Sequence, residues 1–229
     1  MVHCGNTRVG PLLCRSAAAV GLFGVPGLAH ATDVFTPPPG VSDYYIAFNS
    51  ADTTDATSSS IATYNSFVAS EAAQNTLLPS TTWYAIGSTA TTDALANLGC
   101  PAAACSDVPV YLVDGTEVAT SLANLFAGVI LNTIDEDQFG NNNENYVWTG
   151  SNSDGTASTG NELGSSDPEI GWPIETSIMI DIGFSNDSTS ENSVYGIGQI
   201  VTAVPEPASG VLLAIGGLAA AAIRRRLRR

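Results

Sequence analysis

The chain has 229 residues and a formal net charge of −15, with all 22 acidic residues between Asp33 and Glu206, no Lys, and seven Arg confined to the two ends. From Thr32 to Ala222 there is no Lys, Arg or His, which excludes nucleic-acid binding driven by counterion release and removes an imidazole base, a Schiff-base lysine, an arginine clamp and a histidine metal site. Paired carboxylates are the acid/base chemistry left, and acids this numerous fall near one another as solvated surface groups, so a non-enzymatic protein is expected.

The first 31 residues carry Arg8 and Arg15 and no acid, then an apolar stretch from Ala17 to Leu28, then Ala29-His30-Ala31. Positive region, apolar region and small-x-small site read as a signal peptide over residues 1–31, with Ala29 and Ala31 setting cleavage after Ala31. Cys14 is not a lipidation site, because Leu13 stands where a small residue is needed. Residues 32–60 read as a leader: Thr36 to Ser42 (TPPPGVS) is Pro-rich and Asp52 to Ser60 (DTTDATSSS) is Ser/Thr-rich. Folding is expected to start near Ile61.

In residues 61–203 the apolar positions Ile61, Tyr64, Phe67 and Val68 recur at helical spacing and Pro79 closes the segment, which predicts an amphipathic helix over Ser60 to Leu78. Thr82 to Gly87 reads as a core strand, and Thr92 to Leu98, with Gly99 beyond it, as a short helix. The runs Val108 to Val113 and Thr116 to Ala119 flank Asp114-Gly115, a strong hairpin signal. Ser121 to Phe126 is a further helical turn or two. Tyr146 to Thr149, the alternating run Ser177 to Phe184 and Val194 to Val204 are predicted strands. Helices early and strands late, joined by long Gly/Asn/Ser loops, give an α+β class with a mostly antiparallel sheet.

Cys100 and Cys105 form an even pair in an exported chain and are expected to close a small disulfide loop. Asp135, Asp137 and Glu144 lie in a loop rich in oxygen ligands of the kind hard Ca²⁺ prefers, although Phe139 and Tyr146 occupy the fifth and twelfth positions where an EF-hand needs ligands. The alternative is a solvated loop. Trp83 sits within an apolar run and reads as core; Trp148 and Trp172, beside polar loops, are the candidates for ligand contact.

At the C-terminus, Val204-Pro205-Glu206-Pro207 precedes the apolar segment Ala208 to Ile223 and then Arg224-Arg225-Arg226-Leu227-Arg228-Arg229. As a helix the segment would be about 24 Å long against a hydrocarbon core of about 30 Å, a gap that snorkelling arginines can partly close. The positive-inside rule keeps the arginines in the cytoplasm and places the acidic domain outside, in agreement with the signal peptide. Motif, apolar helix and arginine cluster together resemble the PEP-CTERM sorting signal, at residues 204–229. That resemblance implies an exosortase partner, processing near Pro205-Glu206-Pro207, transient residence in the inner membrane and delivery to the surface of a cell that makes exopolysaccharide.

The strings Val110 to Ala119, Asn132 to Asp137 and Val147 to Thr156 together resemble a bacterial extracellular domain of the C-type-lectin-like, endostatin-related kind, over roughly Ile61 to Thr202. The Glu-Pro-Asn and Trp-Asn-Asp motifs of calcium-and-sugar sites are absent. The resemblance implies a scaffold without assigning a sugar site. The expected function is an exported surface or matrix protein associated with exopolysaccharide; the alternative is a carbohydrate-binding, lectin-like module.

Overall fold

The computed structural model describes residues 37–99 and 107–202. The signal-peptide residues Ala29 and Ala31, the cysteines Cys100 and Cys105, and the tail with Val204, Pro205, Glu206 and Pro207 lie outside the described residues.

The fold starts ahead of Ile61. Strand β1 (Asp43–Asn49, DYYIAFN) runs through the middle of the sheet, inside the stretch read from composition as a leader. Tyr44, Ile46 and Phe48 enter one hydrophobic cluster, and Tyr45 and Ala47 enter the other. A strand buried on both faces is a continuous apolar run without alternation, and here its Pro-rich and Ser/Thr-rich flanks dominate the composition. The Asp52–Ser60 segment is also tied down: Thr54 and Asn192 exchange backbone hydrogen bonds of 2.9 and 3.1 Å, and Ala56 is fully buried.

After β1 come α1 (Ile61–Gln74), β2 (Trp83–Ala85), α2 (Ala94–Asn97), β3 (Val110–Tyr111), β4 (Glu117–Ala119), α3 (Leu122–Phe126), β5 (Val147–Trp148), β6 (Ile170–Gly171), β7 (Ser193–Gly198) and β8 (Val201–Thr202). The sheet order is β4-β3-β1-β7-β5-β6, with β2 on β7 and β8 on β1. The pairs β1–β3 and β5–β7 are parallel and the other five are antiparallel. The class is α+β with a mixed sheet.

Helix α1 buries Tyr64, Val68 and Ala72, one turn apart, against the face that carries Ile46 and Phe48. It also buries Glu71, whose carboxylate accepts from Asp52 N at 3.0 Å and from Gln138 Nε2 at 3.0 Å. The helix ends four residues short of Leu78 because Asn75 turns out of it and donates through Nδ2 to Gln138 O. On the opposite face, α3 packs Leu122, Leu125 and Phe126 beneath β3 and β4. Ser121 caps α3 by accepting from Asn124 N at 3.0 Å. The β3–β4 turn is held by Asp114, whose Oδ1 accepts from Thr116 N at 2.7 Å.

Two predicted strands change form. Val194 to Val204 divides into β7 and β8, because Ala47 pairs with Ile197 whereas Tyr44 pairs with Val201, leaving one extra residue at Gln199–Ile200 as a bulge. Ser177 to Phe184 is not a strand. Thr176–Ile178 form a 3-10 turn, Met179 and Ile180 are both buried, and Phe184 is 70% exposed. Gly183 at φ +73° breaks the extension, and its N–H donates to Asp181 Oδ1 at 2.9 Å.

Candidate functional site

Strands β5 and β6 pair Val147 with Gly171 and Trp148 with Ile170, so the next residues outward, Tyr146 and Trp172, are cross-strand neighbours. The period-two rule puts Tyr146, Trp148, Ile170 and Trp172 on one face of this pair. Trp148 and Ile170 belong to the core there. At the outer end the Tyr146 and Trp172 rings lie 5.3 Å apart, tilted by 49°, with Tyr146 42% exposed and Trp172 half-buried. Gly171 makes this arrangement possible: a Cβ there would collide with the backbone oxygen of Met179, which passes across β6. That close crossing lets Trp172 N donate to Ile178 O at 3.0 Å and fixes the Trp172 backbone.

Of the two tryptophans read as ligand contacts, Trp148 is corrected. It is 0% exposed, and its indole N–H donates to Thr54 O at 2.8 Å. Its polar loop neighbours hid the fact that β5 is an interior strand. Trp172 remains at the surface, and its partner there is Tyr146, which the sequence places at the start of a predicted strand and at a position unfit for a calcium ligand without marking it as a ligand contact. Tyr146 lies immediately before β5 and three residues after a run of asparagines, and the aromatic spacing across β5 and β6 emerges only from the register. Trp83 is buried in the core.

Acidic residues flank the aromatic pair in the chain. Glu144, Glu175 and Glu191 are all exposed. Glu144 lies two residues before Tyr146 and Glu175 three after Trp172. Glu191 is two residues from Ser193, whose N–H donates to Tyr146 O at 3.1 Å.

Asp135, Asp137 and Glu144 are not brought together around one point. Asp137 is buried, and its Oδ1 accepts from Phe139 N at 2.8 Å and Asn141 N at 2.9 Å while Oδ2 accepts from Asn141 Nδ2 at 3.0 Å. Those donors occupy the lone pairs a cation would need, so Asp137 organises the loop. Glu144 faces solvent and accepts from Asn142 Nδ2 at 3.1 Å. Among the described residues no group of three or more His, Cys, Asp or Glu side chains is placed to hold a metal ion.

Two carboxyl pairs escaped the sequence reading. Glu136 accepts from Asp114 N at 3.1 Å, and burial, with the Asp114 carboxylate nearby, pushes its carboxyl up to about 7. Glu169 is 7% exposed, its Oε1 is buried without a hydrogen-bond partner, and burial followed by the charge of Asp181 pushes it up to about 7. Partners 12 to 22 residues apart in the chain give no local spacing signal. Neither Glu169 nor Asp181 lines the open groove of about 350 Å³ beside Trp83, whose walls, including Ala69, Asn75, Leu78 and Thr81, carry no titratable group.

Among the described residues no helix is long and apolar enough to cross a membrane, and Ala208 to Ile223 lies outside them. No curated protein matches the chain, and no finding supports the C-type-lectin-like resemblance. Residues 203–226 match the model of the PEP-CTERM protein-sorting motif, which covers Val204, Pro205, Glu206 and Pro207 and marks the chain as an exported exosortase substrate, held in the membrane transiently before processing.

Proposed function

We propose that the chain is a non-enzymatic surface or extracellular-matrix protein, released from its membrane tail by exosortase, that associates with exopolysaccharide through the Tyr146–Trp172 pair. The sorting motif at residues 203–226 carries the first half of this reading. Absence of every basic side chain from Thr32 to Ala222 supports the non-enzymatic part, because the usual bases, nucleophile activators and oxyanion clamps are missing.

A carbohydrate-binding module is the second reading, and one observation favours it: a partly exposed aromatic pair at the end of two paired strands, its rings tilted by 49°, offers ring surface for the C–H side of a pyranose. The two readings separate on selectivity. A glycan array probed with the full chain in detergent gives saturable binding to a narrow set of sugars if the chain is a module, and weak, broad retention if it is a matrix component. Assays for hydrolysis of the same glycans test the non-enzymatic part, and turnover that is lost on Glu169→Gln would refute it.

A further inference from the structure

The acid-only composition constrains which polysaccharide this surface can take. Uronate, sulfate and phosphate polymers need Lys or Arg to offset their charge, and the chain has neither between Thr32 and Ala222 while carrying 22 acids between Asp33 and Glu206. Any such polymer would meet repulsion across the whole acidic domain. The exposed Glu144, Glu175 and Glu191, two or three residues from Tyr146, from Trp172 and from Ser193, which donates to Tyr146 O, add to that repulsion.

Resting on the glycan-contact reading above, we infer that the Tyr146–Trp172 platform takes a polymer of amino sugars bearing free amines. The rings stack on the sugar's C–H face, and the ammonium groups pair with Glu144, Glu175 and Glu191. Both ring faces and carboxylates contribute to holding a cation, the first through their quadrupoles and the second through charge. An N-acetylated chain presents the same C–H face without the charge. It therefore separates stacking from charge recognition.

The test uses the full chain in detergent and three probes of equal length: a glucosamine oligomer, its fully N-acetylated form and a polyuronate oligomer. Saturable binding of the glucosamine oligomer, at least about tenfold tighter than the acetylated form, with no binding of polyuronate, is the expected result. Trp172→Ala and Tyr146→Ala should each weaken binding about tenfold, and the combined Glu144→Gln, Glu175→Gln and Glu191→Gln variant should bring the glucosamine oligomer down to the acetylated one. Circular dichroism melting curves of Trp172→Ala and Tyr146→Ala that coincide with wild type would tie the weaker binding to loss of the ring and not to loss of fold. Equal binding of both amino-sugar forms would overturn the inference and leave the glycan-contact reading standing. Binding of no sugar would overturn both. Glucosamine binding unchanged by Trp172→Ala and Tyr146→Ala would assign it to diffuse charge and overturn the platform.

Discussion

The buried carboxyl of Glu169 faces the carboxyl of Asp181, and no basic side chain between Thr32 and Ala222 is available to neutralise either. Glu169 opens strand β6 through its backbone bridge to Ser185, while Asp181 starts the turn that brings the chain back to that bridge. Burial and the Asp181 charge together favour the protonated form of Glu169 at this crossing. Glu136 and Asp114 repeat the arrangement between the acidic loop and the β3–β4 turn.

Stability should consequently fall as the pH rises from mildly acidic to alkaline. Glu169 and Glu136 hold their protons more tightly in the folded state, at about 7, than in the unfolded chain, at 4.5. The stability they contribute is complete below about pH 4.5 and is lost as the pH rises through about 7. After discounting for solvent screening, each is worth about 1–3 kcal/mol across that window. Urea denaturation at a series of pH values measures it. Glu169→Gln should flatten the slope and leave the variant more stable than wild type at pH 8; an unchanged slope would remove Glu169 as its source.

Two glycines should respond differently to alanine. Gly171→Ala puts a methyl group into the backbone oxygen of Met179, which cannot yield as a side-chain tip can, so a loss of about 1–3 kcal/mol or more is expected. Gly183 has open space around its Cβ position and φ +73°, and Gly183→Ala should cost only the left-handed penalty of about 1–2 kcal/mol. Thermal denaturation followed by circular dichroism compares them. The Gly171 variant should also lose the Trp172 fluorescence environment, and the Gly183 variant should keep it.

Asp137→Ala should destabilise the protein whether or not calcium is present. The substitution strands Phe139 N and Asn141 N, which it now satisfies, at about 1–3 kcal/mol. Melting curves in millimolar Ca²⁺ and in chelator should shift by the same amount. A loss seen only with Ca²⁺ would return Asp137 to the role of ligand.

Local chemistry in the sequence located α1 through the Tyr64 and Val68 spacing, the β3–β4 turn through Asp114-Gly115, and α3 through Ser121. Each of these elements is specified within a few residues. Strand β1 was missed because burial on both faces erases the alternation that marks a half-buried strand. The run from Ile178 to Phe184 misled for the opposite reason: its isoleucines alternate in the sequence, yet Gly183 turns the chain and Met179 is anchored over Gly171. For the candidate site, Trp172 was legible as an aromatic beside polar loops. Its pairing with Tyr146, and the Glu169–Asp181 contact, depend on a register set between segments far apart in sequence.

Processing at the tail is the central claim, and intact-mass measurement of the protein from separated membrane and surface fractions tests it most directly. Wild-type surface protein should lack Ile223 and the terminal arginines, while Glu206→Ala should stay full-length in the inner membrane. The substitution lies outside the apolar run and leaves Ala208 to Ile223 and the arginines intact, so membrane insertion is nearly unaffected and only recognition of the motif changes. Wild-type protein recovered at the surface with Arg229 still attached would contradict the sorting account.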